Sequence, residues 1–217
     1  DFCLSRGLGD VYKRQGSHPA QQRLIFEELV AHQVSLLSRR AYIQQIEAPR
    51  ISASRQFAKQ LLSSLPFEMT NAQKRVSKEI VQDLKLNKPM LRLVQGDVGA
   101  GKTLVAGVAA CHALEEGWQV ALMAPTEILA EQHYLNFKKW FEPLGLSVSW
   151  LSGKQKGKAR ATAEQAIVDG TAHLVVGTHA LFQDNIHFAK LGLVIIDEQH
   201  RFGVDQRLAP VSYTHLT

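Results

Sequence analysis

Apolar positions follow two different periods along this chain, and the change from one period to the other marks its organisation. From Ala20 to about Leu65 the apolar residues are spaced mostly as on one side of a helix, with a break at Pro49. Ser52 or Ser54 is placed to cap the second of two helices in this stretch. The pattern therefore predicts a helical segment at the amino-terminal side of the chain.

From Met90 onward, short apolar runs alternate with amphipathic helical stretches. The predicted strands are 90–94, 119–124, 147–151, 173–176 and 193–196, and the main predicted helices are 104–114, 126–141 and 159–169. Strands that are continuous apolar runs between helices are typical of a parallel sheet covered on both faces. The prediction is an α/β fold with a doubly wound parallel sheet, whose ligands lie at the carboxyl ends of the strands.

The loop after the first predicted strand carries the main candidate site. Gly96 is followed by four residues and then by Gly101, Lys102 and Thr103, which is the spacing of a phosphate-binding loop between a strand and a helix. Glycines, including Gly99, allow positive φ, so that successive N–H groups can turn towards an anion. Lys102 can reach the β- and γ-phosphates, and the Thr103 hydroxyl can bind Mg²⁺. The interpretation is a nucleoside triphosphate site, against the alternative of a chance match in a glycine-rich loop.

Two carboxylates end the last predicted strand. Asp197 and Glu198 follow an apolar run and lie at the sheet edge where ligands bind. Asp197 can hold Mg²⁺ directly or through water, and Glu198 can orient and deprotonate an attacking water. The alternative is an ordinary polar pair at the end of a strand, and the phosphate loop upstream favours the catalytic interpretation.

Two further polar features have both a structural and a functional interpretation. Thr70 is a predicted helix N-cap, and the amide of Gln73 in the first turn can pair with adenine or can simply be solvated. A glycine-punctuated loop after Ser152 carries four cations, which can form a solvated face or contact DNA phosphates. These cations are Lys154, Lys156, Lys158 and Arg160.

Composition narrows the class of protein only modestly. The chain has 217 residues, 45% of them hydrophobic, and no apolar run long enough to span a membrane, which predicts a soluble globular protein. The net charge of +5 permits an acidic partner such as nucleic acid. Cys3 and Cys111 cannot form a disulfide framework and favour a reducing, cytosolic compartment. The nine histidines lack metal-ligand spacing, so no zinc site is predicted.

The two ends of the chain are expected to be foreign to the protein. Residues 10–15 and 211–215 match the translations of opposite strands of one sequencing-library adapter sequence. We therefore interpret residues 1–15 and 210–217 as adapter-derived and exclude them from the reasoning about the fold. The remainder is then expected to be a fragment of a longer protein.

Several motifs together resemble a known family. Residues 95–103, 124–127, 177–180 and 197–204 are similar to the successive motifs of superfamily 2 helicases, and especially to the bacterial ATP-dependent DNA helicases that remodel stalled replication forks. Gln199 and the lysine-rich loop favour these over their relative, the transcription-repair coupling factor. The resemblance implies a RecA-like ATP-binding domain over residues 66–209, after a helical connector over residues 16–65. It also implies a cytoplasmic bacterial motor that acts on forked or branched DNA in fork repair and recombination.

The resemblance also implies roles for individual residues. Gln73 matches the family's adenine-reading glutamine, with Phe67 as a weaker candidate for stacking on the base. Thr126 and Thr178 match positions that hold the backbone of one DNA strand, although a helix cap or a turn hydroxyl is the alternative for both. His200 matches a residue that couples the ATP site to the DNA site, with a polar residue packed at the sheet edge as the alternative.

Other parts of the implied machine have no match in this chain. The family has a second RecA-like domain, which supplies arginines to the γ-phosphate, and an upstream wedge domain that grips forked DNA. We therefore expect a monomer that binds ATP and Mg²⁺ but is nearly inactive and cannot unwind DNA alone. The competing interpretations are another P-loop enzyme, such as a GTPase or a small-molecule kinase, and a nucleotide-binding module without catalysis. Residues 87–90 lack the aspartate of a guanine-reading motif and give a GTPase no support.

Overall fold

The computed structural model describes residues 18–43, 45–52, 54–97, 99–153, 155, 157–182 and 186–198. The chain separates into two compact units, with the boundary between Ile46 and Glu47. In the described part of the first unit, α1 (Pro19–Ile43) is a helix of 25 residues. Its large apolar side chains, including Leu24 and Phe26, are exposed. The predicted adapter-derived ends lie outside the described residues.

The second unit is built from alternating helices and strands. Its helices are α2 (Gln56–Ser64), α3 (Asn71–Leu84), α4 (Lys102–Glu115), α5 (Glu127–Phe141) and α6 (Gly157–Val168). Its strands are β1 (Gln119–Met123), β2 (Val148–Leu151), β3 (Leu174–Gly177) and β4 (Leu191–Ile196), and the segments Glu142–Leu144 and His179–Phe182 are 3₁₀ turns. The strands form one sheet in the order β2-β3-β1-β4, and every pair is parallel. The predicted parallel α/β fold is confirmed.

Each inner strand buries both of its faces. Successive side chains point to opposite sides of the sheet, and a hydrophobic core lies on each side. On one face, Val120 and Leu122 of β1 pack into a core that α4 and α5 cover, with Phe137 and Phe141 fully buried in it. On the other face, Ala121 and Met123 pack into a second core with α6. Helices on both faces explain why these strands appear in the sequence as unbroken apolar runs.

One predicted strand is wrong. Residues 90–94 form no strand, and the side chains of Leu91 and Leu93 are exposed. The described strands pair only with one another, and none of them provides a backbone ladder for this segment. Apolar composition favours a strand only where a neighbouring strand can accept and donate its hydrogen bonds.

The predicted cap of the second helix is also wrong. Arg55, in the left-handed conformation at φ 72°, occupies the N-cap of α2 and makes no side-chain cap. The Glu115 carboxylate at the end of α4 takes the capping role instead, because it accepts a hydrogen bond from Gln56 N at 2.9 Å and another from Ser54 Oγ. A cap from a distant carboxylate satisfies the same free N–H groups as a local serine would.

The helix α2 lies within the second unit, where Leu61 packs in the same core as α4. The predicted division into a connector over 16–65 and a nucleotide domain over 66–209 stays a prediction. Among the described residues, no helix combines the length and the apolar character that crossing a lipid bilayer requires.

Candidate active site

The phosphate loop turns through two glycines in the left-handed region. Gly99 has φ 84° and Gly101 has φ 73°, and Gly101 is the N-cap of α4. A glycine at this position has no side chain that could accept the first free N–H groups of the helix, so the amino end of α4 is left to an anion. Lys102 starts the helix and donates from Nζ to the carbonyl oxygens of Gly96 and Asp97, at 2.6 and 3.0 Å. The ammonium therefore lies over the loop, where phosphates would bind.

Gln73 connects helix α3 to this loop. Its backbone N–H donates to Thr70 Oγ1 at 3.2 Å and its side-chain oxygen accepts from Thr70 N at 2.9 Å, which is a complete capping box. Its Nε2 donates to the carbonyl of Ala100 in the loop at 2.9 Å. The predicted N-cap at Thr70 is confirmed. The amide of a glutamine has a second N–H and a second lone pair, so these contacts leave it able to pair with an adenine edge.

Phe67 lies a few residues before this helix, with 55% of its surface exposed. It lines a groove with the apolar residues Leu62, Leu65, Pro66 and Met69 and with the charged residues Glu68 and Lys74. An exposed ring beside such a groove is suited to stacking on a planar ligand. The adenine roles of Gln73 and Phe67 stay predictions.

The last strand brings Asp197 to the carboxyl edge of the sheet. Its backbone N–H donates to Met123 O at 2.9 Å, so the ends of β1 and β4 are joined there. The Asp197 Oδ2 atom lies 2.7 Å from Nε2 of His133 on α5. This hydrogen bond lowers the pKa of Asp197 below its ordinary value although partial burial opposes the shift, and the nearby charge of Lys102 lowers it further. The effect of Lys102 places the phosphate loop and the carboxylate within electrostatic reach of each other.

Glu198 follows directly, with a positive φ of 50° that is unusual for a residue with a side chain. Its backbone N–H donates to the Asp197 carboxylate. Strained backbone of this kind is common at functional sites, where the surrounding structure holds it in place. Gln199 and His200 lie outside the described residues, so the predicted coupling role of His200 stays a prediction.

The residues present fit a Mg²⁺ ion. Mg²⁺ is usually held by one or two protein oxygens together with substrate phosphates and water. Thr103 in the first turn of α4 and Asp197 at the end of β4 are oxygen donors of this kind, and the charge of Lys102 at the start of the same turn acts on Asp197. The lowered pKa of Asp197 favours its ionised carboxylate, which is the state that a hard cation requires.

The predicted DNA-facing residues lie on the same edge but differ in exposure. Thr126 follows β1, is exposed, and caps α5 by accepting from Leu129 N at 3.3 Å, which is the structural alternative considered for it. Thr178 follows β3 and is only 4% exposed. Ser152 follows β2 and donates to Glu127 Oε1 at 2.7 Å, which anchors the lysine-rich loop beside Thr126.

The four predicted cations of this loop are not equivalent. Lys158 is exposed, whereas Arg160 is partly buried and pairs with Glu164 on the same helix at 2.6 Å. Lys154 and Lys156 lie outside the described residues. Of the two described cations, Lys158 therefore has the more exposed side chain. Phosphate contact by the group stays a prediction.

Sequence reasoning missed His133. A histidine on a long amphipathic helix was treated as an ordinary surface or core residue, and its partner Asp197 is 64 positions away. Helical spacing could have shown that His133 lies on the buried face of its helix. Ala130 and Phe137, three residues before it and four after it, are both completely buried. A polar ring on a buried helix face requires a partner.

A parallel α/β sheet with a phosphate loop and an aspartate at its carboxyl edge is typical of a P-loop NTPase. Comparison with known sequences agrees with this class. The sequence profile of the DEAD/DEAH box helicases matches residues 70–215, and the chain belongs to that family. Over 194 residues it is 60% identical to the ATP-dependent DNA helicase RecG of Escherichia coli O157:H7, and over 194 residues it is 58% identical to RecG of Haemophilus influenzae. Each alignment covers 89% of this chain but only 28% of the relative, so the chain spans less than a third of their length.

A solved structure is similar as well. The structure of RecG bound to a three-way DNA junction superposes with a TM-score of 0.76 at 40% identity, covering 89% of this chain and 26% of that one. RecG is an ATP-dependent DNA helicase, the class of protein that the motifs resemble. The predicted resemblance is thus confirmed.

Proposed function

We propose that this chain is the ATP-binding motor domain of a DNA helicase that translocates on branched DNA in replication-fork repair and recombination. One observation carries the proposal: the Lys102 ammonium lies over the phosphate loop at the amino end of α4, and Asp197 lies at the carboxyl edge of the sheet on which α4 packs. A nucleotide whose phosphates occupy the loop would present them to this carboxylate. The similarity to RecG, including a structure with a three-way junction, supports branched DNA as the partner.

The proposed roles follow from chemistry at this edge. Gly96, Gly99 and Gly101 shape the loop around the phosphates, and Lys102 neutralises their charge. Thr103 and Asp197 would hold Mg²⁺, and the bound ion would supply positive charge beside the phosphates. Glu198 orients the attacking water and accepts its proton.

Base and DNA contacts surround this centre in the proposal. Gln73 reads the adenine edge and Phe67 stacks on the base. Thr126, Thr178 and the lysine-rich loop with Lys154, Lys156, Lys158 and Arg160 hold the DNA backbone, and His200 links it to the nucleotide. We further propose a cytoplasmic monomer whose unwinding depends on a second RecA-like domain and a wedge domain of the same polypeptide.

Binding and turnover of Mg-ATP by this chain test the proposal, with and without a branched DNA. Lys102→Ala should abolish nucleotide binding, because it removes the cation over the loop. Lys190→Ala is the matched control: Lys190 lies beside the amino end of β4, stacked 5.0 Å from the Trp118 ring, and its loss should leave binding unchanged. Turnover should be slow in every case. Fast turnover that ignores DNA would contradict the helicase assignment and favour a self-contained P-loop enzyme.

A further inference from the structure

His133 is a polar residue in a place where packing alone would favour an apolar one. It lies on α5 between Ala130 and Phe137, which are both completely buried, and its own side chain is only 13% exposed. The imidazole makes an edge contact with the Phe137 ring, with centroids 6.3 Å apart and an interplanar angle of 64°. The helix and this aromatic contact therefore hold the ring in one orientation.

The two ring nitrogens of His133 have very different surroundings. Nε2 lies 2.7 Å from Asp197 Oδ2, whereas Nδ1 is buried and has no hydrogen-bond partner within the part of the chain that the structure describes. An ionised carboxylate can only accept, so Nε2 is the donor of this pair. A buried nitrogen without a partner costs folding free energy, and such a cost in a native site calls for a functional explanation.

On the other side of the contact, Asp197 is held at three points. Its backbone N–H donates to Met123 O, and Oδ2 of its carboxylate accepts a hydrogen bond from His133 Nε2. The backbone N–H of Glu198 also donates to the carboxylate. The side chain of Asp197 is 33% exposed, so the carboxylate still reaches the open edge of the sheet. A carboxylate has about four lone-pair positions, which leaves room for a cation beside these donors.

We propose that His133 is a positioning residue that orients the Asp197 carboxylate for Mg²⁺ at the nucleotide site. This inference rests on the proposed ATP-dependent function and adds to it a residue from a different helix. His133 need not touch nucleotide or metal. It fixes the rotamer of a ligand, as partners in the outer shell of a metal site commonly do, and losing such a partner typically weakens metal binding about 10- to 100-fold.

Two substitutions of His133 separate this role from simple packing. His133→Phe keeps a ring on the buried helix face and removes the donor, whereas His133→Gln places an amide N–H close to the position of Nε2. His187→Phe is the control, since His187 is exposed and belongs to no predicted site. The readouts are Mn²⁺ binding to the ADP-bound chain, followed by electron paramagnetic resonance, and ADP binding in the presence of EDTA.

We expect His133→Phe to weaken Mn²⁺ binding by about tenfold or more, while ADP binding without metal stays at the level of the unmodified chain. His133→Gln should restore most of the metal affinity, and His187→Phe should not change it. Unchanged Mn²⁺ affinity in His133→Phe, or failure of His133→Gln to restore a lost affinity, overturns the inference. If His133→Phe does not fold, His133→Asn carries the same test, because its amide is too short to reach Asp197.

Failure of the inference and failure of the proposed function give different results. If the unmodified chain binds no nucleotide, the proposed function fails and the role of His133 fails with it. If it binds ADP with Mn²⁺ but His133→Phe binds the metal equally well, the site stands and only the positioning role is lost.

Discussion

The sheet and the segment that leads into the phosphate loop have similarly apolar sequences, but different forces hold them. Every residue of β1 is buried, and the strand pairs with a neighbour on each side. In residues 90–94, Leu91 and Leu93 are 63% and 68% exposed. Arg92, between them, forms ion pairs with Glu79 and Asp83 of α3, both at 2.7 Å.

The difference indicates how stability is distributed in this domain. Apolar burial and backbone ladders stabilise the scaffold, whereas a few polar side chains of α3 hold the loop that is to bind phosphates. Arg92 contacts α3 before the loop, and Gln73 contacts Ala100 within it. Loops held in this way open locally at less cost than core strands. Substitutions that remove buried apolar side chains of the scaffold should therefore cost more stability than substitutions around the loop.

The largest effect is expected in the scaffold. Phe137 is fully buried and contacts the rings of His133, Trp140 and Phe141. Phe137→Ala should lower the free energy of unfolding by about 3–5 kcal/mol, because it removes buried surface and leaves a cavity. Leu93→Ala should change the free energy by no more than about 0.5 kcal/mol, as at other exposed positions. Urea unfolding measures both, and equal losses would mean that residues 90–94 are packed as tightly as the sheet.

The same contrast explains what the sequence could predict. The four strands of the sheet were predicted to within two residues at their ends, because a buried parallel strand is a continuous apolar run. The phosphate loop was found from glycine spacing, which reflects backbone geometry. The segment 90–94 has the composition of a strand, but whether it becomes one depends on a neighbour that no local pattern reveals.

Contacts between distant residues were the other part that could not be predicted. The pairing of His133 with Asp197 and the capping of α2 by Glu115 join positions about 60 apart in the chain. Each partner alone is an ordinary polar residue. Only the packing of the helices on the sheet brings them together, and a single sequence contains little information on that packing.

The backbone of the phosphate loop should respond less strongly than the buried core. A Cβ added at Gly101 would lie 2.4 Å from Gln73 Nε2, in a residue that already has φ 73°. Gly101→Ala should therefore cost about 1–3 kcal/mol of stability and displace Gln73 from the loop, weakening nucleotide binding. Gly117→Ala is the control, because its φ of 77° is equally strained while nothing lies within 4 Å of the added carbon. Unfolding and ADP titrations compare the two, and equal nucleotide affinity would show that the contact with Gln73 has no influence on the site.

The Glu115 cap belongs to the scaffold but is polar. Burial alone would raise the pKa of Glu115, but hydrogen bonds from Ser54, Gln56 and Phe57 outweigh this effect and lower the pKa below the ordinary 4.5. A lowered pKa means that the stabilisation is present above pH 4.5 and is lost as the pH falls through the folded-state value. Glu115→Ala should cost about 1 kcal/mol at pH 7, as the loss of a helix cap does.

Urea unfolding at several pH values measures this effect. The difference between Glu115→Ala and the unmodified chain should shrink as the pH falls from 4.5 through the lowered folded-state pKa, because the carboxylate becomes protonated over this range. Glu131→Ala is the control, because Glu131 is an exposed carboxylate on α5 and its loss keeps the Glu115 cap of α2. A difference that stays constant with pH would indicate that Glu115 stabilises the chain by packing rather than by its charge.

The smallest effect is expected at Arg92, where side chains hold the approach to the phosphate loop. The hydrogen bond from Arg92 to Asp83 is the main cause that raises the pKa of Arg92, so the ion pairs favour the charged form. The three side chains are partly exposed, and Arg92→Met should cost only about 0.5 kcal/mol. Proteolytic cleavage within residues 91–94 should nevertheless become faster, because the segment opens more easily, while β1 stays resistant. Arg92→Lys should restore part of the protection, because it keeps the charge without the planar fork.

In about 1 M salt, where screening acts over about 3 Å, Arg92→Met and the unmodified chain should become similar. A loss of protection that persists at high salt would mean that the methylene groups of Arg92, rather than its charge, hold the segment against α3.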